Sequence, residues 1–123
     1  MAVRQVGGKP VYVCDAEGPS LAEYGALTDL IGELFGAGVR LVAIPLARVG
    51  PDFLRLSSGV AGEVLQKLVN YRFQVAVLGD VGAAVAASAP LRDFVHESNR
   101  GTTVWFVDDL AGLEAKLAGP RGA

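Results

Sequence analysis

The sequence predicts an α/β domain in which one mixed β-sheet is flanked by helices, with its elements in the order ββαβαβαβα. Three observations carry that prediction. Apolar residues recur at helical spacing in blocks such as Leu27, Leu30, Ile31 and Leu34. Between these blocks lie short, mostly apolar runs, VRLVAIPL and FQVAVL, as expected of strands covered on both faces. Glycines, prolines and hydroxyl residues punctuate the joints. A leading hairpin and three strand–helix units then imply right-handed crossovers.

In chain order, Val3 to Val6 and Val11 to Cys14 are β-prone runs joined through Gly7-Gly8, a hairpin signal. Ser20 and Glu23 have the spacing of a capping box for a first helix. Leu21, Tyr24, Leu27, Leu30, Ile31, Leu34 and Phe35 form its apolar stripe, and Gly36-Ala37-Gly38 ends it. Gly25 and Gly32 within it suggest close packing against a neighbour. Val39 to Leu46 reads as a buried strand that Pro45 closes. A second helix opens at Ser57-Ser58-Gly59 and closes at Asn70-Tyr71-Arg72, feeding the strand Phe73 to Leu78. Asp80 to Ala89 reads as a loop of small residues, and Pro90 suits the first turn of a third helix. Leu91, Phe94, Val95 and Ser98 share a face there, and Gly101 terminates it. Thr103 to Val107 is the last strand, with Asp108 or Asp109 capping a final helix striped by Leu110, Leu113 and Leu117. The expected layout is a single domain over 1–123, with a core of about 3–118 and a frayed tail at 119–123.

Composition narrows the function classes. A net charge of -2 at pH 7 argues against a dedicated nucleic-acid or anionic-membrane binder. With Cys14 as the one cysteine, no intrachain disulfide forms, and its apolar surroundings favour a buried structural thiol. No run approaches the ~18 apolar residues of a membrane span, and the N-terminus lacks a signal-peptide core, so a cytoplasmic protein is expected. His96 has no second metal-ligand type four residues on, and no zinc-type set occurs. Gly79-Asp80-Val81-Gly82 lacks the third glycine of a dinucleotide loop. Neither a P-loop, a nucleophile elbow nor a paired-carboxylate motif is present. We therefore expect no cofactor, no metal and no catalytic set.

Three groups of residues remain as candidates. Ser58, at the head of the second helix, reads either as a cap or as a hydroxyl able to carry a phosphate or face a bound anion. Glu63, Gln66, Lys67 and Asn70 fall at i, i+3, i+4 and i+7 on one face, either a solvated stripe or a recognition face for a protein partner. Asn70, Tyr71 and Arg72 close one helix, while Glu97, Ser98, Asn99 and Arg100 close the next. If their strands are parallel neighbours, both clusters lie at one end of the sheet. They then form either a structural polar network, with Arg72 or Arg100 pairing Glu97, or a site for a small ligand or a partner.

Two resemblances add to this reading. SSGVAGEVLQKLVNYR, the strand ending in Gly79-Asp80, LRDFVHESNRG and the strand VWFV resemble a bacterial family catalogued as domain of unknown function 4180, over about Val39 to Leu117. That resemblance implies no activity. The order of elements is also similar to STAS (sulfate transporter and anti-sigma factor antagonist) domains, and Ser57-Ser58-Gly59 matches the end of their D-S-S-G-like turn. That likeness implies a phosphorylatable Ser58, although Leu56 stands where the turn's aspartate would be. The expectation is thus a STAS-like, non-enzymatic regulatory or protein-binding module. A small-molecule or anion-binding domain is the alternative, and a homodimer stays open.

Overall fold

The computed structural model describes residues 3–118, with residue 24 described by its backbone alone. The frayed tail expected at 119–123 and the place of Tyr24 on the apolar stripe lie outside the described residues. Strands β1 (Val3–Val6), β2 (Lys9–Val13), β3 (Leu41–Pro45), β4 (Gln74–Leu78) and β5 (Val104–Val107) form one sheet in that spatial order. β1 is antiparallel to β2, and the other pairs are parallel. The hairpin turns at Gly7 and Gly8, whose φ of 58° and 82° suit glycine and match the twist of the strands.

Helices α1 (Tyr24–Ala37), α2 (Val60–Asn70), α3 (Gly82–Ala87) and α4 (Ala89–Arg100) connect the parallel strands, and α5 (Leu110–Ala118) follows the last. Crossovers of one hand between successive neighbours deliver their helices to one face of the sheet. α1, α2 and α4 accordingly pack together over Val42, Ile44, Val75, Val77 and Phe106. The alternate residues Leu41, Ala43, Ala76 and Trp105 point to the other face, where α5 lays Leu113 over them with Val6 and Val11. Both faces are thereby dry, and their burial supplies most of the stabilisation, at about 25 cal/mol per Å² of apolar surface removed from water.

Several expectations need correction. α1 starts at Tyr24, not at Ser20, and Glu23 offers it no side-chain cap. The Leu21 N–H is bonded to the Arg48 carbonyl at 2.7 Å, and Leu21 is buried. With that anchor the chain makes a separate turn before the helix, closed by the Glu23 N–H donating to the Ser20 carbonyl at 3.0 Å. The Ser20 hydroxyl only accepts a bond from the Ala22 N–H. Gly25 and Gly32 face open space, since a Cβ on either would meet nothing within 4 Å. α2 starts at Val60, because Gly59 takes a left-handed φ of 80° and leaves Ser57 and Ser58 in a separate 3-10 turn, Leu56–Ser58. The loop expected over 80–89 contains α3, so the observed order is ββαβαβααβα. Asp80 starts that turn by accepting the Gly82 N–H at 2.8 Å, and a run of alanines favours the helix. Ser88 then caps α4, and Asp109 caps α5 through the Gly112 N–H.

The crossover helices run antiparallel to the strands. Their C-termini gather at the end of the sheet where β3, β4 and β5 begin, and this end positions the candidate residues.

Candidate functional site

α2 closes with a Schellman motif. The Phe73 N–H donates to the Leu68 carbonyl at 3.1 Å and the Arg72 N–H to the Val69 carbonyl at 2.8 Å. Phe73 and Leu68, both buried, make the apolar closure such a motif favours. The left-handed residue is Arg72, with φ 71°, the one non-glycine residue in that region among the described residues. α1 ends nearby in the simpler left-handed cap. There Gly38, with φ 72°, donates to the Leu34 carbonyl at 3.1 Å.

The two helix ends share a groove of about 350 Å³. Phe35 and Tyr71 stand at its mouth with ring centroids 5.9 Å apart, edge to face, and Phe35 also meets Phe73 at 5.2 Å. Phe35 is 58% exposed and Tyr71 48%, the large apolar side chains left in solvent among the described residues. Arg40 flanks them and donates from Nη1 to the Arg72 carbonyl at 3.2 Å. The groove therefore offers two aromatic rings and two guanidinium groups, Arg40 and Arg72, both exposed.

The second cluster turns the other way. Arg100 pairs with Glu97 at 3.2 Å within α4, both side chains well exposed, so that pair adds little to stability. Ser98 is half-buried and lines a groove of about 280 Å³ between α2 and α4, together with Gln66, Val69 and Phe94. Asn99 has a structural task. Val75 N–H donates to the Thr103 carbonyl and Gly79 N–H to the Val107 carbonyl, so residues 103 and 107 of the last strand face β4. By alternation, the backbone of Phe106 faces the free edge of the sheet. Asn99 pairs with it there, Oδ1 accepting the Phe106 N–H at 2.7 Å and Nδ2 donating to the Phe106 carbonyl at 3.3 Å. One side chain thus stands in for a neighbouring strand and covers an edge open to unwanted pairing. Lys116 Nζ holds the Asn99 carbonyl at 2.6 Å, and the Trp105 indole donates to the Gly101 carbonyl at 2.8 Å.

The two clusters do lie at one end of the sheet, but on opposite sides of α2. Of the two pairings open to Glu97, Arg100 makes it, while Tyr71 and Arg72 face α1. The stripe along α2 divides similarly. Gln66 bonds Asn70 at 2.8 Å and borders the α4 groove, whereas Glu63 and Lys67 border a groove with Leu21 and Leu27. The Ser58 hydroxyl donates to the Asp52 carbonyl at 2.8 Å and accepts the Val60 N–H at 3.2 Å, so a phosphate on it would have to break the first bond. Among the described residues, no three of His, Cys, Asp and Glu cluster so as to hold a metal ion. Likewise, no described helix is long and apolar enough to cross a membrane.

Sequence reasoning missed Phe35 and Arg40 as neighbours of Tyr71. Phe35 falls in a regular apolar stripe, a pattern that places it on the buried face. The available signal was the contrast between glycine at one helix end and arginine at the other.

Fold and grooves define a small α/β domain with a mixed five-stranded sheet and an aromatic–arginine surface where two of its helices end. Residues 6–117 match the family described as domain of unknown function (DUF4180), and the chain belongs to that family. The match takes in the last residue of β1, the other four strands and most of α5. No curated protein matches the chain, and no solved structure does.

Proposed function

We propose that this domain is a non-enzymatic regulatory or adaptor module of the cytoplasm, holding a protein partner in the groove of Phe35, Tyr71, Arg40 and Arg72. The partner segment carries carboxylates beside an apolar side chain. One observation carries the reading: Arg72 occupies a left-handed position where glycine is the default, beside two aromatic rings left in water. Aromatic rings with arginine are the residue types that dominate binding energy at interfaces. A second copy of the chain is the poorer occupant. A two-fold axis through the groove would bring the arginines of both copies together, and like charges oppose that contact. The buried, unpaired Cys14 suits a reducing compartment.

A displayed peptide library panned against the protein should enrich segments pairing Asp or Glu with an apolar residue, and their affinity should fall as salt rises. Tyr71→Ala should weaken the enriched peptide at least tenfold, about 1.4 kcal/mol, without changing the fold. Enrichment of basic peptides, or affinity untouched by Tyr71→Ala, would refute the reading.

A further inference from the structure

A separate cavity of about 350 Å³ opens beside the carboxyl end of β2 and shares no lining residue with the aromatic–arginine groove. In open α/β sheets the carboxyl ends of the strands are where ligands bind, and the volume falls within the range of small-ligand sites. Ala26, Asp29, Leu30 and Glu33 face it from α1 at i, i+3, i+4 and i+7. Its floor is apolar, made by Leu30 and Cys14, 5% and 6% exposed. The Cys14 thiol has no hydrogen-bond partner among the described residues, although the side chain is more than nine-tenths buried against this cavity. Burial pushes it up to about 11, so at neutral pH it is a protonated, soft surface rather than a nucleophile.

The rim is charged and braced. Arg48 donates from Nε to the Pro19 carbonyl at 2.9 Å and from Nη1 to the Asp15 carbonyl at 3.0 Å. Gly18 lies against that guanidinium, with a Cβ position 3.0 Å from Cζ, and its φ of 139° also calls for glycine. Arg48 thereby ties the two ends of the Asp15 to Pro19 loop together beside α1. Tyr12 donates its hydroxyl to the Glu33 carboxylate. That bond, with burial behind it, raises Tyr12 to about 12. Four exposed carboxylates, Asp15, Glu17, Asp29 and Glu33, line the cavity against the single cation Arg48, which gives its Nε and one Nη1 donor to backbone carbonyls.

From this arrangement we infer that the cavity binds a small organic cation, an ammonium or guanidinium group on a compact apolar body. The apolar body rests on Leu30 and Cys14, and the cation meets Asp29 and Glu33. A bare metal ion fits less well, because the carboxylates are spread around the cavity and no three of them converge.

Two probes of nearly one shape and opposite charge test this, phenethylamine and phenylacetate, titrated against the ¹⁵N-labelled protein. Phenethylamine should shift the amides of residues 12–18 and 26–33 saturably, and phenylacetate should leave them unmoved. Asp29→Asn with Glu33→Gln should weaken the amine at least tenfold while preserving the amide spectrum elsewhere, since glutamine still accepts from Tyr12. Tyr71→Ala, which disables the partner groove, should leave amine binding unchanged. Equal shifts by both probes, no shift by the amine, or full affinity in the double variant would overturn the inference.

Discussion

α1 and α2 both end on a left-handed residue, but the residue differs, and so does the cap around it. Gly38 has φ 72° and Arg72 has φ 71°, each just past the last helical turn and leading towards a strand. Leu34 and Leu68 stand in equivalent places, four residues before the left-handed one, and both are fully buried. Glycine takes that conformation freely, whereas an arginine gives up about 1–2 kcal/mol there. Both ends turn the chain through one left-handed residue, by the simpler cap at α1 and by a Schellman motif at α2, and glycine suits that residue in either, so the fold does not require arginine at α2. What differs is what each residue presents: Gly38 adds nothing to the groove, and Arg72 adds a guanidinium beside Tyr71. Backbone strain kept at one of two comparable positions is what the proposed partner site would account for.

The comparison can be broken at three levels. Leu34→Ala and Leu68→Ala should each lower the unfolding free energy by about 2–5 kcal/mol in chemical denaturation. If the two ends are structurally equivalent, the values should agree within about 1 kcal/mol. A large disparity would show that one end matters far more to the core. Gly38→Arg transfers the strain to α1 and should cost about 1–2 kcal/mol. Nothing within 4 Å opposes a Cβ at Gly38, so the penalty is that of the backbone alone. The smallest effect should come from Arg72→Gly, a gain of about 0.5–1 kcal/mol, because relief of strain exceeds the entropy that glycine adds to the unfolded chain.

Much of the architecture was legible because it depends on local chemistry. Gly7-Gly8 marked the hairpin, Gly38 the end of α1, and the unbroken apolar strands announced a sheet covered on both faces. Pro45 closes β3 as expected. What local patterns could not supply was the constraint imposed from elsewhere in the chain. The capping pair Ser20 and Glu23 fails because Arg48, 28 residues beyond Ser20, fixes Leu21 and delays the helix. Asp80 to Ala89 reads as a loop of small residues, yet an Asp80 turn and alanine propensity suffice for α3.

The site was legible only in part. Tyr71, Arg72, Glu97 and Arg100 stood out, and the parallel neighbours β4 and β5 place them at one end of the sheet. Which side of α2 each occupies depends on the rotation of that helix, which a sequence stripe does not fix relative to two different neighbours. Phe35 stays in solvent because it stands in the last turn of α1 and carries on from the stripe past the buried Leu34. Asn99 could not be understood before β5 was known to be an edge strand. The cavity beside β2 escaped notice because its carboxylates come from a loop and from the polar side of α1, each unremarkable alone.

The most direct test of the account is Arg72→Gly measured twice on one sample series, by denaturation and by affinity for the acidic peptide selected on the wild-type groove. The account predicts a more stable protein that binds the peptide at least tenfold more weakly. Unchanged affinity, or a loss of stability, would contradict it and reduce Arg72 to a helix-terminal charge.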